Sequence, residues 1–332
     1  MPLLEGFLEL LSRLFIIYLV ISLGILWRFS RFFKPKYGEW FTKVTIWVFF
    51  PISIISSFAK VSTFSGSVVV QVVIITIMVH LASYIAIRLI QKNQLKEETG
   101  AFVLCATFPN SIFFPFPIIL AVVGTSALLY ATIFLFIAMI MRNSLGAAIG
   151  IWHRPKTTQS INNKQESPLK VDFKNFAFNI IKFPPFMALI IGFLFYWIFG
   201  PQTIEAIPGL DIIKNFSLYG ALIIIGVSFN QLNQLSPKNI FSKKSFQVAV
   251  SRFLIAPSLA LVLLMTWNAP AIVALPLLIQ SMAPPAVSVI FYGKFFHFSE
   301  SDVSLLITSL TFLALLVLPL ELLVFLELFP LS

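Results

Sequence analysis

The sequence predicts an all-α integral membrane protein of ten transmembrane helices, built as a 5+5 inverted repeat in which the fourth and ninth spans are proline-broken and cross. Three observations predict this. Apolar windows long enough to cross a bilayer recur along nearly the whole chain, basic residues gather in alternate loops, and proline clusters sit mid-membrane at the same place in each half.

Hydrophobic residues make up 58% of the 332 and charged residues 11%, with a mean hydropathy of +0.95. Such a chain cannot bury its apolar side chains in one water-soluble core, so the lipid bilayer must act as solvent. A span needs roughly 20 mostly apolar residues to cross about 30 Å of hydrocarbon. The windows fall near residues 7–27, 43–59, 67–90, 101–124, 126–150, 176–199, 212–231, 246–265, 269–293 and 303–328. The first is preceded by Glu5 and Glu9 rather than by basic residues, and no small-residue cleavage site follows it. It reads as a mature span and not as a signal peptide.

Charge then sets the topology. Alternating the loops places Arg28, Arg31, Lys34, Lys36 and Lys43 on one face with Arg88, Lys92, Lys96, the basic residues from Arg154 to Lys174, Lys238, Lys243, Lys244 and Lys294. The opposite face receives only Lys60 and Lys214. By the positive-inside rule the crowded face is cytoplasmic and both termini are non-cytoplasmic, as expected for a multi-pass protein of the cell membrane. A net charge of +10 would suggest nucleic acid in a soluble protein. Spread over short loops it is a topology signal, and no nucleic-acid partner is expected.

The longest polar stretch, residues 152–175, reads as a cytoplasmic linker between halves at 1–151 and 176–332. Five spans is an odd number, so the second half enters the membrane upside down. Internal similarity agrees: Pro115 precedes Gly124 by nine residues, as Pro284 precedes Gly293.

The chemistry gathers at the two proline clusters. Span four carries Pro109, Pro115 and Pro117, which cannot coexist with a regular helix because proline lacks the amide donor and clashes with the preceding turn. In hydrocarbon the freed backbone groups need protein, water or ligand as partners. Asn110 and Ser111 lie beside the break, and the half-helix restarting near Pro117 is expected to offer free amides and a positive dipole end to an anion. In span nine Gln280 and Ser281 precede Pro284 and Pro285, the same grouping of amide, hydroxyl and broken backbone. Asn110, Ser111, Pro115, Pro117, Gln280, Ser281, Pro284 and Pro285 form the candidate substrate site.

Other embedded polar groups carry two readings each. His80, central in span three, is either the carrier of a coupled proton or a neutral histidine bonded to a neighbouring helix. Arg142 and Arg252 lie toward the cytoplasmic ends, where they either snorkel or attract an anion. Arg13 stands four residues after Glu9, a spacing that suits a pair on one helix face, and Glu321 has no partner that the sequence names. Spans three to five, eight and nine hold no Asp or Glu, so a carboxylate cage for a cation has no ligands there. No metal motif, catalytic set or cofactor motif can be assembled at membrane depth, and the lone Cys105 excludes an intrachain disulfide. An enzyme is not expected. What remains is a carrier for a small organic anion, or an anion channel or nutrient sensor lined by the same broken helices.

At this point the sequence resembles the auxin efflux carrier family. In that family the fourth span carries an Asn followed five residues later by Gly and seven later by Pro; Asn110 and Pro117 match, while Pro115 stands in the Gly position. Arg252 with Pro257 is similar to the family's basic residue and proline in span eight, and Tyr292-Gly293 with Leu318-Pro319 follows its C-terminal pattern loosely. The resemblance implies a scaffold of spans 1, 2, 6 and 7, often dimeric, and a moving transport domain of spans 3–5 and 8–10. It further implies a secondary transporter working by elevator-type alternating access, with Asn110 and its neighbours contacting a carboxylate. The sodium-coupled bile acid transporters share the ten-span plan and are the alternative, weakened here by the absent carboxylates.

Overall fold

Proline placement shapes the helices from the start. In the computed structural model, residues 2–60, 65–92, 96–153, 181–205, 207–229 and 236–331 are described, and among them the secondary structure is helical with no strand. The helices are α1 (Pro2–Phe29), α2 (Pro35–Ser57), α3 (Gly66–Ile90), α4 (Lys96–Thr107), α5 (Pro115–Val122) and α6 (Leu128–Trp152). They continue as α7 (Pro184–Phe199), α8 (Leu210–Val227), α9 (Lys243–Thr266), α10 (Ala271–Ser281), α11 (Val289–Phe296) and α12 (Glu300–Leu328).

Among the described residues six helices are long and apolar enough to cross a membrane: the Leu11–Phe29 part of α1, then α2, α3, the Thr125–Trp152 stretch holding α6, α9 and α12. The apolar helices α7, α8 and α10 are shorter. Span four is seen as the pair α4 and α5 and span nine as the pair α10 and α11, each interrupted where the prolines fall. Residues 154–175 of the expected linker lie outside the described residues. The second span starts earlier than hydropathy suggests, because Pro35 opens the helix after an extended Lys34. Its first turns carry Lys36, Glu39 and Lys43, which a search for apolar windows passes over.

Two helices absorb a mid-span proline by widening. A π-helical turn at Thr45–Phe49 lies just ahead of Pro51, and another at Val250–Ile255 lies just ahead of Pro257. The wider turn relieves the clash between the proline ring and the carbonyl four residues back. It also decides where Arg252 points, since that residue sits inside the second π-turn.

Helix association in lipid is driven by close packing, because lipid tails are as apolar as a protein core. α1 packs on α8 and α2 on α7, with α8 also against α2. The α1–α8 contact is made backbone to backbone. A Cβ on Gly24 would strike the Ile223 carbonyl oxygen, and one on Gly226 would strike the Ile21 carbonyl oxygen. Where α8 meets α2, Ser217 Oγ lies 2.6 Å from Ser53 Oγ and donates to the Phe49 carbonyl in the π-turn at 2.8 Å. α3 packs against α6, α4 and α9, while α11 packs on α12, α6 and α4. The half-helix α5 is the exception. It lies against α8 and α1 as well as against α10 and α6, and buries Phe116, Ile118 and Ile119, with Phe116 edge-on to Phe50 of α2 at 5.3 Å.

Candidate functional site

The two broken segments pair with each other. Asn110 N donates to the Pro284 carbonyl at 2.7 Å and Ala286 N donates to the Phe108 carbonyl at 2.9 Å, a reciprocal antiparallel bridge centred on Pro109 and Pro285. The two prolines have no amide to offer, so the residues flanking them make the bonds. Pro109 stands opposite Pro285, so Asn110 faces Pro284 and Phe108 faces Ala286.

Several freed carbonyls find specific donors. Pro285 withdraws the amide that would have bonded the Ser281 carbonyl, and Arg252 Nη2 fills the place at 2.6 Å while its Nε donates to the Ala283 carbonyl at 3.1 Å. The guanidinium is fully buried, and among the described residues its Nη1 has no hydrogen-bond partner. Far along α12, Pro319 releases the Leu315 carbonyl, and Tyr18 Oη of α1 donates to it at 2.5 Å. α5 ends where Gly124 turns the chain at a φ of 105°, freeing the Ala121 and Val122 carbonyls. Arg13 Nη1 donates to both at 2.9 Å, so this guanidinium serves a helix end, whereas the Glu9 side chain lies outside what is described.

Asn110 is held differently. Its Oδ1 accepts from Phe113 N at 3.2 Å, which closes a turn across the break and fixes the amide so that Nδ2 is the end left over. Asn110 borders a cavity of about 40 Å³ between the first break, α8, Val287 and α12. That is room for about three waters, or for a carboxylate rather than a whole organic acid. Phe113, Phe114 and Phe229 supply its apolar wall. Ser228, Thr308 and Thr311 supply hydroxyls, each donating to a carbonyl of its own helix at 2.6 to 2.9 Å. No lining residue of this cavity is charged.

The remaining residues of the second cluster face away from this cavity. Gln280 is buried and its Nε2 donates to the Ala131 carbonyl of α6 at 2.9 Å, leaving Oε1 without a hydrogen-bond partner among the described residues. Ser281 Oγ donates to the Leu278 carbonyl at 2.7 Å. In the first cluster Ser111 Oγ donates to the Pro109 carbonyl at 3.2 Å. Pro115 and Pro117 occupy the first turn of α5, and the amide between them, Phe116 N, bonds the Ile112 carbonyl. The free amides expected at the start of this half-helix are therefore not presented by residues 115 to 117; what reaches the cavity is the positive end of the dipole and the Asn110 amide.

The comparison with protein families decides what kind of machine this is. The family model described as membrane transport protein matches residues 10–322, nearly the whole chain. The chain belongs to the membrane transport protein family. The resemblance to the auxin efflux carriers thus extends from α1 into α12. A search of the curated proteins finds no match. Membership makes this a multi-pass membrane transporter and places it among transporters rather than enzymes.

Within this transporter the other candidates separate. His80 is fully buried, with Nδ1 donating to the Thr76 carbonyl of its own helix at 2.7 Å and its ring between Phe108 and Phe134 at 5.8 and 5.9 Å. That bond fixes the proton on Nδ1, and Nε2 has no protein partner. Arg142 contributes its carbonyl, which accepts from Tyr292 Oη at 3.0 Å and so ties α11 to α6. Residues that sequence reasoning missed include Ser228 and Phe229 at the end of α8, and Thr308 and Thr311 of α12. The last two share a face three residues apart in an apolar helix, a signal that was present to be read.

Proposed function

We propose that this membrane transporter is a secondary carrier for a small organic anion, and that the anion's carboxylate sits at the crossing against Asn110. The observation that carries the reading is the free end of the Asn110 amide. A reciprocal bridge fixes its backbone and a turn fixes its Oδ1, so Nδ2 is directed to the cavity without needing to reorganise. Two amide hydrogens and the dipole end of α5 suit one carboxylate. With three phenylalanines and no cation in the wall, the body attached to that carboxylate is apolar, and a second carboxylate would find no partner.

In this reading the described helices make ten spans in two inverted sets of five, with both termini outside the cytoplasm. Spans 1, 2, 6 and 7 are the scaffold, through which two copies pair, and spans 3–5 and 8–10 move as one elevator. The pose of the broken helices supports a site open toward the linker face. α5 is packed into α8 and α1 as well as against α10 and α6, whereas Val287 at the cavity rim is 44% exposed and α11 has its main contacts within the moving set.

Thermal-shift measurement on purified protein against monocarboxylates and dicarboxylates tests the site; stabilisation by monocarboxylates with apolar bodies is expected, and stabilisation by dicarboxylates alone would refute it. Counterflow in proteoliposomes tests the mechanism. A carrier shows accelerated uptake when unlabelled substrate is preloaded, and an anion channel does not.

A further inference from the structure

We infer that the N-terminal half of α1 is a latch that holds the broken-helix body in the pose seen here, an inference that rests on the moving-body reading above. α1 touches both bodies, and its two halves do so in opposite ways. Its C-terminal half is joined to α8 through Gly24 and Gly226, where no side chain intervenes and sliding would drive backbone into backbone. Its N-terminal half reaches the other body with two long polar side chains. Arg13 donates to Ala121 and Val122 at the end of α5, and Tyr18 donates to Leu315 in α12.

Both acceptors are carbonyls that their own helices cannot use: one pair is released by the turn at Gly124 and the other by Pro319. A freed carbonyl in hydrocarbon must be satisfied, so these bonds are worth most when the bodies are in register and are lost when either slides. A guanidinium at the negative end of α5 adds a dipole contribution that also depends on alignment. Arg13 and Tyr18 therefore act as positioning residues for the pose. They stand apart from the cavity and contact none of its lining hydroxyls, so they set how often the body moves and not what it binds.

The test needs no substrate. With Cys105→Ala as background, since that lone cysteine is buried, two reporters are introduced singly. Val287→Cys lies at the open rim and Ile118→Cys, 1% exposed, lies behind α8 and α1 on α5. Each is labelled with a membrane-impermeant maleimide from one face of oriented vesicles, the rim position from the linker face and the sealed position from the face bearing the N terminus. Tyr18→Phe and Arg13→Gln are expected to raise the labelling rate of the sealed position by about tenfold each and to lower that of the rim position. Equal rates in parent and latch variants, with the sealed position labelled slowly in both, would overturn the latch while leaving the moving body intact. A sealed position never labelled in any background would overturn the moving body itself.

Discussion

The two proline-broken segments look like twins in sequence and are built for different work. The first, from Phe108 to Phe114, caps itself through Asn110, which also borders a cavity. The second, from Met282 to Ser288, is capped from outside by a buried arginine on α9, and its polar neighbours Gln280 and Ser281 are spent on carbonyls of α6 and α10. The residue opposite Asn110 in the bridge is Pro284, whose side chain has no polar group to contribute. The two breaks thus differ in build: one caps itself beside a cavity, and the other is held by a donor from a neighbouring helix. The difference is set by which freed carbonyls are satisfied internally.

The comparison breaks most visibly at Arg252. Removing its side chain leaves the Ser281 and Ala283 carbonyls buried without donors, at roughly 1 to 3 kcal/mol each. Arg252→Leu is therefore expected to lower the unfolding free energy by about 2 to 6 kcal/mol and to appear as a large fall in thermal midpoint in detergent. Arg252→Lys, able to reach one carbonyl, should recover part of it. A variant as stable as wild type would show that the second break supports itself.

Asn110 should show the opposite pattern, with function lost and fold kept. Losing a hydrogen bond to a charged group costs roughly 1.5 to 3 kcal/mol, so Asn110→Ala is expected to weaken carboxylate binding by about 10- to 150-fold. Asn110→Asp sharpens the point, because it keeps an acceptor for Phe113 N but faces the anion with like charge. Binding lost and thermal stability retained in the Asp variant would assign the amide to the ligand. Carboxylate affinity equal to wild type in either variant would make Asn110 a cap and nothing more.

How much of this was legible in the sequence follows from where the information lies. The breaks themselves could be read because proline removes a donor wherever it stands, and Pro109, Pro115, Pro117, Pro284 and Pro285 announce them. The long apolar helices were legible for the same local reason. The register of the crossing was not, since the bridge is made by backbone groups that every residue owns. Arg252 invited a reading as an anion attractor because its depth was visible and its acceptors, some thirty residues away in sequence, were not. The wall formed by Ser228 and Phe229 left no local pattern, because it is created by packing α8 against the first break.

A smaller effect is expected at Gln280 and Ser281, and it inverts the weight that sequence similarity gives them. Neither lines the cavity, so Gln280→Ala and Ser281→Ala should change carboxylate affinity by less than about twofold. Gln280→Ala should still cost stability, on the order of 1 kcal/mol, because the Ala131 carbonyl loses its donor. Isothermal titration and thermal unfolding on the same preparations separate the two. A tenfold loss of affinity at Ser281 would restore the symmetry of the two breaks.

The smallest effect is expected at His80, which borders the crossing without joining it. Its ring touches Phe108, the residue whose carbonyl accepts from Ala286, so it packs directly beneath the bridge. Its one polar bond in the structure runs to Thr76 within its own helix, and among the described residues nothing bonds Nε2. A glutamine has similar length and can donate to the same carbonyl, so His80→Gln should leave the bridge in place and cost less than about 1 kcal/mol. Were this ring the carrier of a coupled proton, exchange would change across about pH 6.5, the ordinary titration range of histidine, and the glutamine variant would abolish that change. With no ionisable partner bonded to the ring, the expected result is an exchange rate whose pH profile is the same in wild type and His80→Gln. Loss of pH-driven accumulation in the variant, with exchange retained, would instead place the coupled proton on His80 and make the crossing a site for two ligands.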